Sequence, residues 1–117
     1  MPFSASVKII SLDRNELLAQ LRQIAERVRA EHPEVIEVRV FGSVARGDQT
    51  GLSDVDVLLV LHSADEADPH QRILTFLPYF DLTRGADLLV FTRADLDRRL
   101  AARDPFLQRI WDESLLL

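Results

Sequence analysis

The sequence contains no cysteine, which excludes disulfide bridges and thiolate metal sites. It also lacks long apolar runs, and no segment approaches the roughly 18 residues that a membrane-spanning helix needs. Its first residues have neither the charged nor the apolar region of a secretory signal peptide. We find no internal repeat and no low-complexity tract. These absences predict a cytoplasmic protein that has no membrane partner.

Basic residues are outnumbered by acidic ones. Lysine and arginine total 14 against 19 aspartates and glutamates, which gives a net charge of −5 and argues against sequence-independent binding to nucleic acid. The three histidines are isolated and have no zinc-ligand spacing; they are His32, His62 and His70. At 117 residues, with 47% hydrophobic and 28% charged residues, the composition predicts one globular domain spanning residues 1–117.

Hydrophobic periodicity predicts alternating helices and strands. Asp13 and Glu16 form a candidate capping box for a helix that ends near Glu31. The strand predicted next carries the alternating residues Ile36, Val38 and Val40. It is followed by a short helix ending at Gly47, an apolar strand from Val55 to Leu61 and a helix that begins at Ser63 or at Asp68 and ends at Pro78.

The last third of the chain predicts one more strand and two helices. The predicted strand is Ala86 to Phe91; a helix capped by Thr92 and Asp95 then runs to about Arg103, and a final helix follows Asp104. The predicted fold class is therefore α/β, with a small mixed sheet flanked by helices. Arginines on the last two helices, among them Arg109, are interpreted as solvated side chains or partner contacts.

A glycine-serine pair stands where the first predicted strand meets the short helix. Gly42 leaves room for a phosphate to approach, and Ser43 adds a hydroxyl donor to the backbone N–H groups of the helix start. Arg46 is one helical turn further on, where it either reaches the same phosphates or is simply solvated. Ser53 is either a turn residue or a further phosphate donor.

Three aspartates are the candidate metal ligands. Asp54 and Asp56 lie two positions apart at a strand, so their side chains project to one face with the Cα atoms about 7 Å apart. Asp87 begins the third predicted strand and converges on them if the two strands are neighbours. Such crowding raises carboxylate pKa values unless a cation lies between the groups, which favours Mg²⁺. The alternatives are a pair that caps a turn and an aspartate that marks a loop end.

These motifs resemble the polymerase-β-type nucleotidyltransferases, and in particular the small stand-alone "minimal nucleotidyltransferase" (MNT) group. The family signature is Gly-Ser, about ten residues and then Asp-x-Asp, which Gly42-Ser43 and Asp54-Val55-Asp56 match with a spacer of ten residues. The longer forms Gly-Ser-x-Ala-Arg-Gly and Ser-Asp-x-Asp also match. The similarity is closest over residues 35 to 92, and the segment Asp104 to Trp111 is similar to the end of such proteins.

The resemblance implies a polymerase-β-like core and a two-metal transfer of a nucleotide from a triphosphate. Asp54, Asp56 and Asp87 would be the catalytic and metal-binding residues, with Asp87 also helping to deprotonate the acceptor. The nucleotide, expected to be ATP, would be held by Gly42, Ser43, Arg46 and Ser53. Many MNT proteins are antitoxins that transfer AMP to a tyrosine of a HEPN-domain toxin. The resemblance therefore implies a HEPN partner, and the chain would form a hetero-oligomer or a homodimer.

Two other functions remain open. The fold could silence a partner by steric occlusion or act as a nucleotide-binding module without catalysis, although three retained acids argue against a decayed site. It could instead modify a small molecule, as the aminoglycoside nucleotidyltransferases do. Those enzymes usually carry a further helical domain, for which 117 residues leave little room.

Overall fold

The computed structural model describes residues 2–48, 54–63, 68–82 and 85–117, with side chains from residue 14 onward. The helices are α1 (Pro2–Glu31), α2 (Gly42–Arg46), α3 (Pro69–Phe76), α4 (Arg93–Ala101) and α5 (Pro105–Glu113), and a 3₁₀ turn covers Leu77–Phe80. The strands are β1 (Val35–Phe41), β2 (Val55–Leu61), β3 (Ala86–Thr92) and β4 (Leu115–Leu116).

The four strands form one mixed sheet in the order β3-β2-β1-β4. Strand β2 pairs parallel with β3 and antiparallel with β1, and β1 pairs antiparallel with β4. The apolar run predicted for β2 is confirmed as an inner strand, and Val55 and all residues from Val57 to Leu61 are buried. The predicted fold class, a small mixed sheet flanked by helices, is confirmed.

Each face of the sheet has its own hydrophobic core. On one face, α1, α3 and the 3₁₀ turn pack against alternate residues of β1, β2 and β3. On the other face, Leu58 and Val60 of β2 pack with Leu96 of α4 and with Leu107 and Ile110 of α5. Because side chains alternate along a strand, even-numbered residues at the start of β2 lie on the α5 face. That alternation places Asp56 beneath α5.

The structure corrects two expectations at the N-terminal end. Helix α1 begins at Pro2 and continues through Asp13, so Asp13 is not an N-cap. Aspartate is a favoured cap, but inside a helix it is less favourable than alanine by no more than about 0.7 kcal/mol, so it does not by itself end a helix. In β1, Ile36 is 39% exposed while Val35 is buried, because the pairing with β2 shifts register between Val35 and Glu37. The bulge turns Ile36 away from the core.

Most helix ends are where their capping residues predicted them. Of the two predicted starts for α3, Asp68 is the N-cap, and the segment 64–67 lies outside the described residues. Thr92 accepts a hydrogen bond from the Asp95 N–H, and α1 ends at Glu31 as predicted. Helix α4, in contrast, ends at Ala101, short of Arg103.

The C-terminal strand β4 was missed from sequence. Leu115 and Leu116 pair with Val40 and Arg39 of β1, and the Leu117 N–H donates to the Val38 carbonyl oxygen. Only this pairing with β1 defines so short a strand. In the part of the chain that the structure describes, no helix is both long and apolar enough to cross a membrane.

Candidate active site

The sheet brings the three aspartates of the sequence prediction to one cleft. Asp56 and Asp87 are paired in register on the neighbouring parallel strands β2 and β3, and Asp54 lies directly before β2. Neighbouring strands are about 4.8 Å apart, so Asp56 and Asp87 start side by side. The cleft has a volume of about 490 Å³ and is lined by all three acids together with Gly42, Ser43 and Arg46. Ser53, the remaining predicted site residue, lies outside the described residues.

Two glycines leave the space that the acids occupy. Gly42 has a left-handed backbone (φ +71°), and a Cβ there would collide with the Asp56 carboxylate. Gly85 is also left-handed (φ +76°), and a Cβ there would lie 3.0 Å from Asp54 Oδ1. The sequence identified Gly42 but missed the role of Gly85, which shows only when Asp54 is placed beside it. Both backbones are left-handed, which favours glycine at each position, and at Gly42 the close approach of Asp56 excludes a Cβ as well.

Asp56 has the electrostatics expected of a crowded carboxylate. Burial raises its pKa above the ordinary value, and the negative charges of Asp87 and Asp54 raise it further. The positive charge of Arg46 lowers the pKa of Asp56 and so offsets part of this rise. Ionised Asp56 is therefore stabilised too little by the protein alone, and a cation in the cleft would restore the balance.

Arg46 and the Gly-Ser turn share an acidic partner that sequence reasoning missed. The Gly42 N–H donates to Glu113 Oε1 at 3.1 Å, and Arg46 Nη1 donates to Glu113 Oε2, also at 3.1 Å. Arg46 Nε donates to Asp48 Oδ2 at 3.2 Å. The hydrogen bonds that Arg46 donates to Glu113 and then to Asp48 raise its pKa above the ordinary value. No local pattern predicts Glu113, which is 71 positions from Gly42.

Helix α5 forms the wall of the cleft opposite the acids. Phe106, Arg109, Ile110 and Glu113 line it, at the spacing of one helical face. Phe106 is 69% exposed, which is unusual for a phenylalanine that could pack in a core. Arg109 was interpreted as a solvated or partner-facing side chain; the structure places it at the rim of the cleft.

The donor atoms in the cleft are those that Mg²⁺ prefers. Within the described ranges, no group of three or more carboxylate or imidazole side chains is arranged to hold a metal ion by itself. Mg²⁺ is, however, commonly bound by one or two carboxylates together with substrate phosphates. The carboxylates of Asp56 and Asp87 lie on neighbouring strands, and Asp56 has a raised pKa. They therefore suit a metal ion that binds together with a triphosphate.

Comparison with known proteins finds two similar chains in Methanocaldococcus jannaschii. "Putative protein adenylyltransferase MJ0128" is 25% identical over 91 residues, which cover 78% of this chain and 84% of the relative. "Putative protein adenylyltransferase MJ0126" is 26% identical over 102 residues, covering 85% of this chain and 95% of the relative. The aligned regions thus extend over most of both relatives.

A solved structure has the same fold. It is described as a putative nucleotidyltransferase from Sulfolobus solfataricus, with a TM-score of 0.69 and 24% identity, covering 92% of this chain and 84% of that one. The family model described as "Nucleotidyltransferase domain" matches residues 21–116, which include the Gly-Ser turn, all three aspartates and helix α5. The chain therefore belongs to the nucleotidyltransferase domain family.

Proposed function

We propose that this nucleotidyltransferase transfers AMP from ATP, in the presence of Mg²⁺, to a tyrosine hydroxyl of a partner HEPN-domain toxin, and so acts as an antitoxin. One observation carries the nucleotide chemistry: Asp56 and Asp87 are paired in register on parallel strands, with Gly42 against the Asp56 carboxylate. The names of the two archaeal relatives, both putative protein adenylyltransferases, support a protein as the acceptor.

The residues of the cleft divide the reaction between them. Gly42, Ser43 and Arg46 would hold the β- and γ-phosphates, and Ser53 would add a donor. Asp54 and Asp56 would hold Mg²⁺, with Asp87 completing the site. When bound, Mg²⁺ would offset the charge between the carboxylates and the triphosphate and lower the pKa of the acceptor hydroxyl.

The proposed reaction is an in-line displacement at the α-phosphorus of ATP. The acceptor oxygen forms a bond to the α-phosphorus while the bond from that phosphorus to the bridging oxygen of the β-phosphate breaks. Pyrophosphate leaves with the bonding pair, and Asp87 takes the hydroxyl proton. An acceptor hydroxyl can reach Asp87, because Asp87 is exposed beside the more buried Asp56.

Phe106 is proposed to receive the base. The phosphate-binding groups and the acids form one side of the cleft, and the exposed ring of Phe106 lies on the α5 side. An exposed aromatic ring can stack on any nucleobase, which contributes about 1–3 kcal/mol. Binding of a base would therefore explain why this ring stays out of the core.

The proposal is tested by incubating the protein with ATP, Mg²⁺ and a HEPN-domain protein as the acceptor, to be sought in the reading frame next to this one, and measuring the intact mass of that acceptor. We expect a gain of one or more AMP units, which Asp54→Ala and Asp56→Ala abolish. Asp112→Ala is the matched control, because Asp112 lies on α5 and bonds only to Gln108 among the described contacts. Full modification by either active-site variant would contradict the catalytic assignment.

Two further experiments separate the rival functions. A triple variant at Asp54, Asp56 and Asp87 that still neutralises the toxin in cells would indicate steric occlusion. Pyrophosphate release that depends on an added aminoglycoside, and not on the partner protein, would indicate a small-molecule acceptor.

A further inference from the structure

The carboxylate of Glu113 joins two of the groups proposed to hold the triphosphate. It accepts the Gly42 N–H on one oxygen and pairs with Arg46 Nη1 on the other, both at 3.1 Å. Its side chain is 19% exposed, whereas that of Arg46 is 48% exposed. A more buried carboxylate with two fixed donors is a rigid anchor for a side chain that would otherwise sample many rotamers.

Glu113 takes the place of the missing cap of helix α2. Phe41, at the N-cap position of α2, offers no side-chain hydrogen bond, so the first N–H groups of this short helix need other acceptors. Glu113 supplies one from the end of α5. This bond uses the Gly42 N–H and not the Ser43 hydroxyl, which is a donor further along the turn.

Arg46 is left with one edge for a ligand. Nε is bonded to Asp48 and Nη1 to Glu113, so Nη2 takes part in neither bond. Two carboxylates thus fix the plane of the guanidinium, while Arg46 still lines the cleft. A planar donor fixed in this way can contact a phosphate oxygen with little further loss of side-chain freedom.

The residues next to Glu113 in the chain contact strand β1. The guanidinium carbon of Arg39 stacks 4.0 Å from the ring centroid of Trp111, and Arg39 Nη1 donates to Ser114 Oγ at 3.1 Å. Strand β4 follows at once and pairs with β1. The residues on both sides of Glu113 are therefore fixed to β1, the strand that leads into Gly42.

From these contacts we propose that Glu113 is a positioning residue for the triphosphate: it holds the Gly42-Ser43 turn and the Arg46 guanidinium in the orientation that binds phosphate. This inference rests on the proposed function, since it assumes that the turn and Arg46 bind a triphosphate. Glu113 acts through Gly42 and Arg46 and has no direct role in the chemical step.

Binding of two probes, ATP with Mg²⁺ and inorganic tripolyphosphate with Mg²⁺, tests the proposal by calorimetry. We expect Glu113→Ala to raise the Kd of both probes by roughly tenfold, because it removes a charge-assisted hydrogen bond that organises the site. Glu113→Gln should lie between that variant and the wild type, since a glutamine oxygen still accepts the Gly42 N–H but no longer attracts Arg46. Asp112→Ala, one residue away on α5, should bind as the wild type does.

A merely structural role is distinguished by temperature and by kinetics. Binding is measured well below the melting temperature of each variant, where lost stability alone does not change Kd. In the transfer reaction, Glu113→Ala should raise KM for ATP and change kcat less than twofold.

Three results would overturn the proposal. Unchanged Kd values in Glu113→Ala would show that Glu113 does not position the site. Tighter binding would show that Glu113 competes with phosphate for the same donors. If the wild-type protein binds neither probe, the proposed nucleotide site is itself wrong. This result is distinguishable from a failure of the Glu113 proposal, because it is seen in the wild-type protein without any variant.

Discussion

Gly42 offers the sharpest test of how the backbone and the catalytic carboxylate depend on each other. Gly42→Ala should have two costs. The left-handed backbone costs a residue with a Cβ about 1–2 kcal/mol. The new methyl group would also collide with the Asp56 carboxylate, whose Cγ would lie only 3.2 Å away. Because Asp56 must move to admit the methyl group, we expect loss of activity as well as of stability.

Gly47→Ala is the matched control. Gly47 has a similar left-handed backbone (φ +84°) at the end of α2, but among the described residues a Cβ there would meet only Arg14 side-chain atoms, at 3.6 and 3.8 Å, which is ordinary contact. The backbone cost of about 1–2 kcal/mol is therefore shared by both variants. It corresponds to a fall in melting temperature of about 4–8 °C. Only Gly42→Ala adds the displacement of Asp56.

Thermal unfolding and AMP transfer, both measured on the two variants, separate these costs. A displacement of about 1 Å at a reacting group lowers the rate roughly a hundredfold. Below both melting temperatures we therefore expect Gly42→Ala to lose about two orders of magnitude in kcat/KM, and Gly47→Ala to stay close to the wild type. Equal activity in the two variants, whether high or low, would refute the reasoning.

Two further predictions concern the charge and the apolar wall of the cleft. Because burial and then Asp87 and Asp54 raise the folded-state pKa of Asp56, its ionisation destabilises the metal-free protein as pH rises through that pKa. Asp56→Asn should thus raise the melting temperature at neutral pH. The gain should vanish near pH 3, where the carboxyl group is protonated in both the folded and the unfolded protein. An equal gain in melting temperature at the two pH values would contradict this. Phe106→Ala should weaken ATP binding roughly tenfold in a calorimetric titration and leave tripolyphosphate binding unchanged, and Phe106→Trp should bind ATP as the wild type does. Equal weakening of the binding of both ligands would exclude a stacked base.

Local chemistry in the sequence determined most of the secondary structure and half of the cleft. Asp68, Thr92 and Asp104 each accept hydrogen bonds from the N–H groups of the helix that they cap, because a capping side chain acts on residues two or three positions away. The apolar run Val55–Leu61 required a strand buried on both faces. The glycine-serine turn and the aspartate pair lie within one short segment, so their spacing was visible without the fold.

Only the tertiary structure decided what completes the cleft. Asp87 meets Asp56 because β3 pairs parallel with β2, and Glu113 reaches Gly42 because α5 packs on the sheet and β4 fixes its end to β1. The contact between Gly85 and Asp54 is likewise set by the fold. These contacts join residues far apart in the chain, and no local preference encodes them. They depend on burial of the apolar residues of the sheet and helices, which fixes where each polar side chain lies.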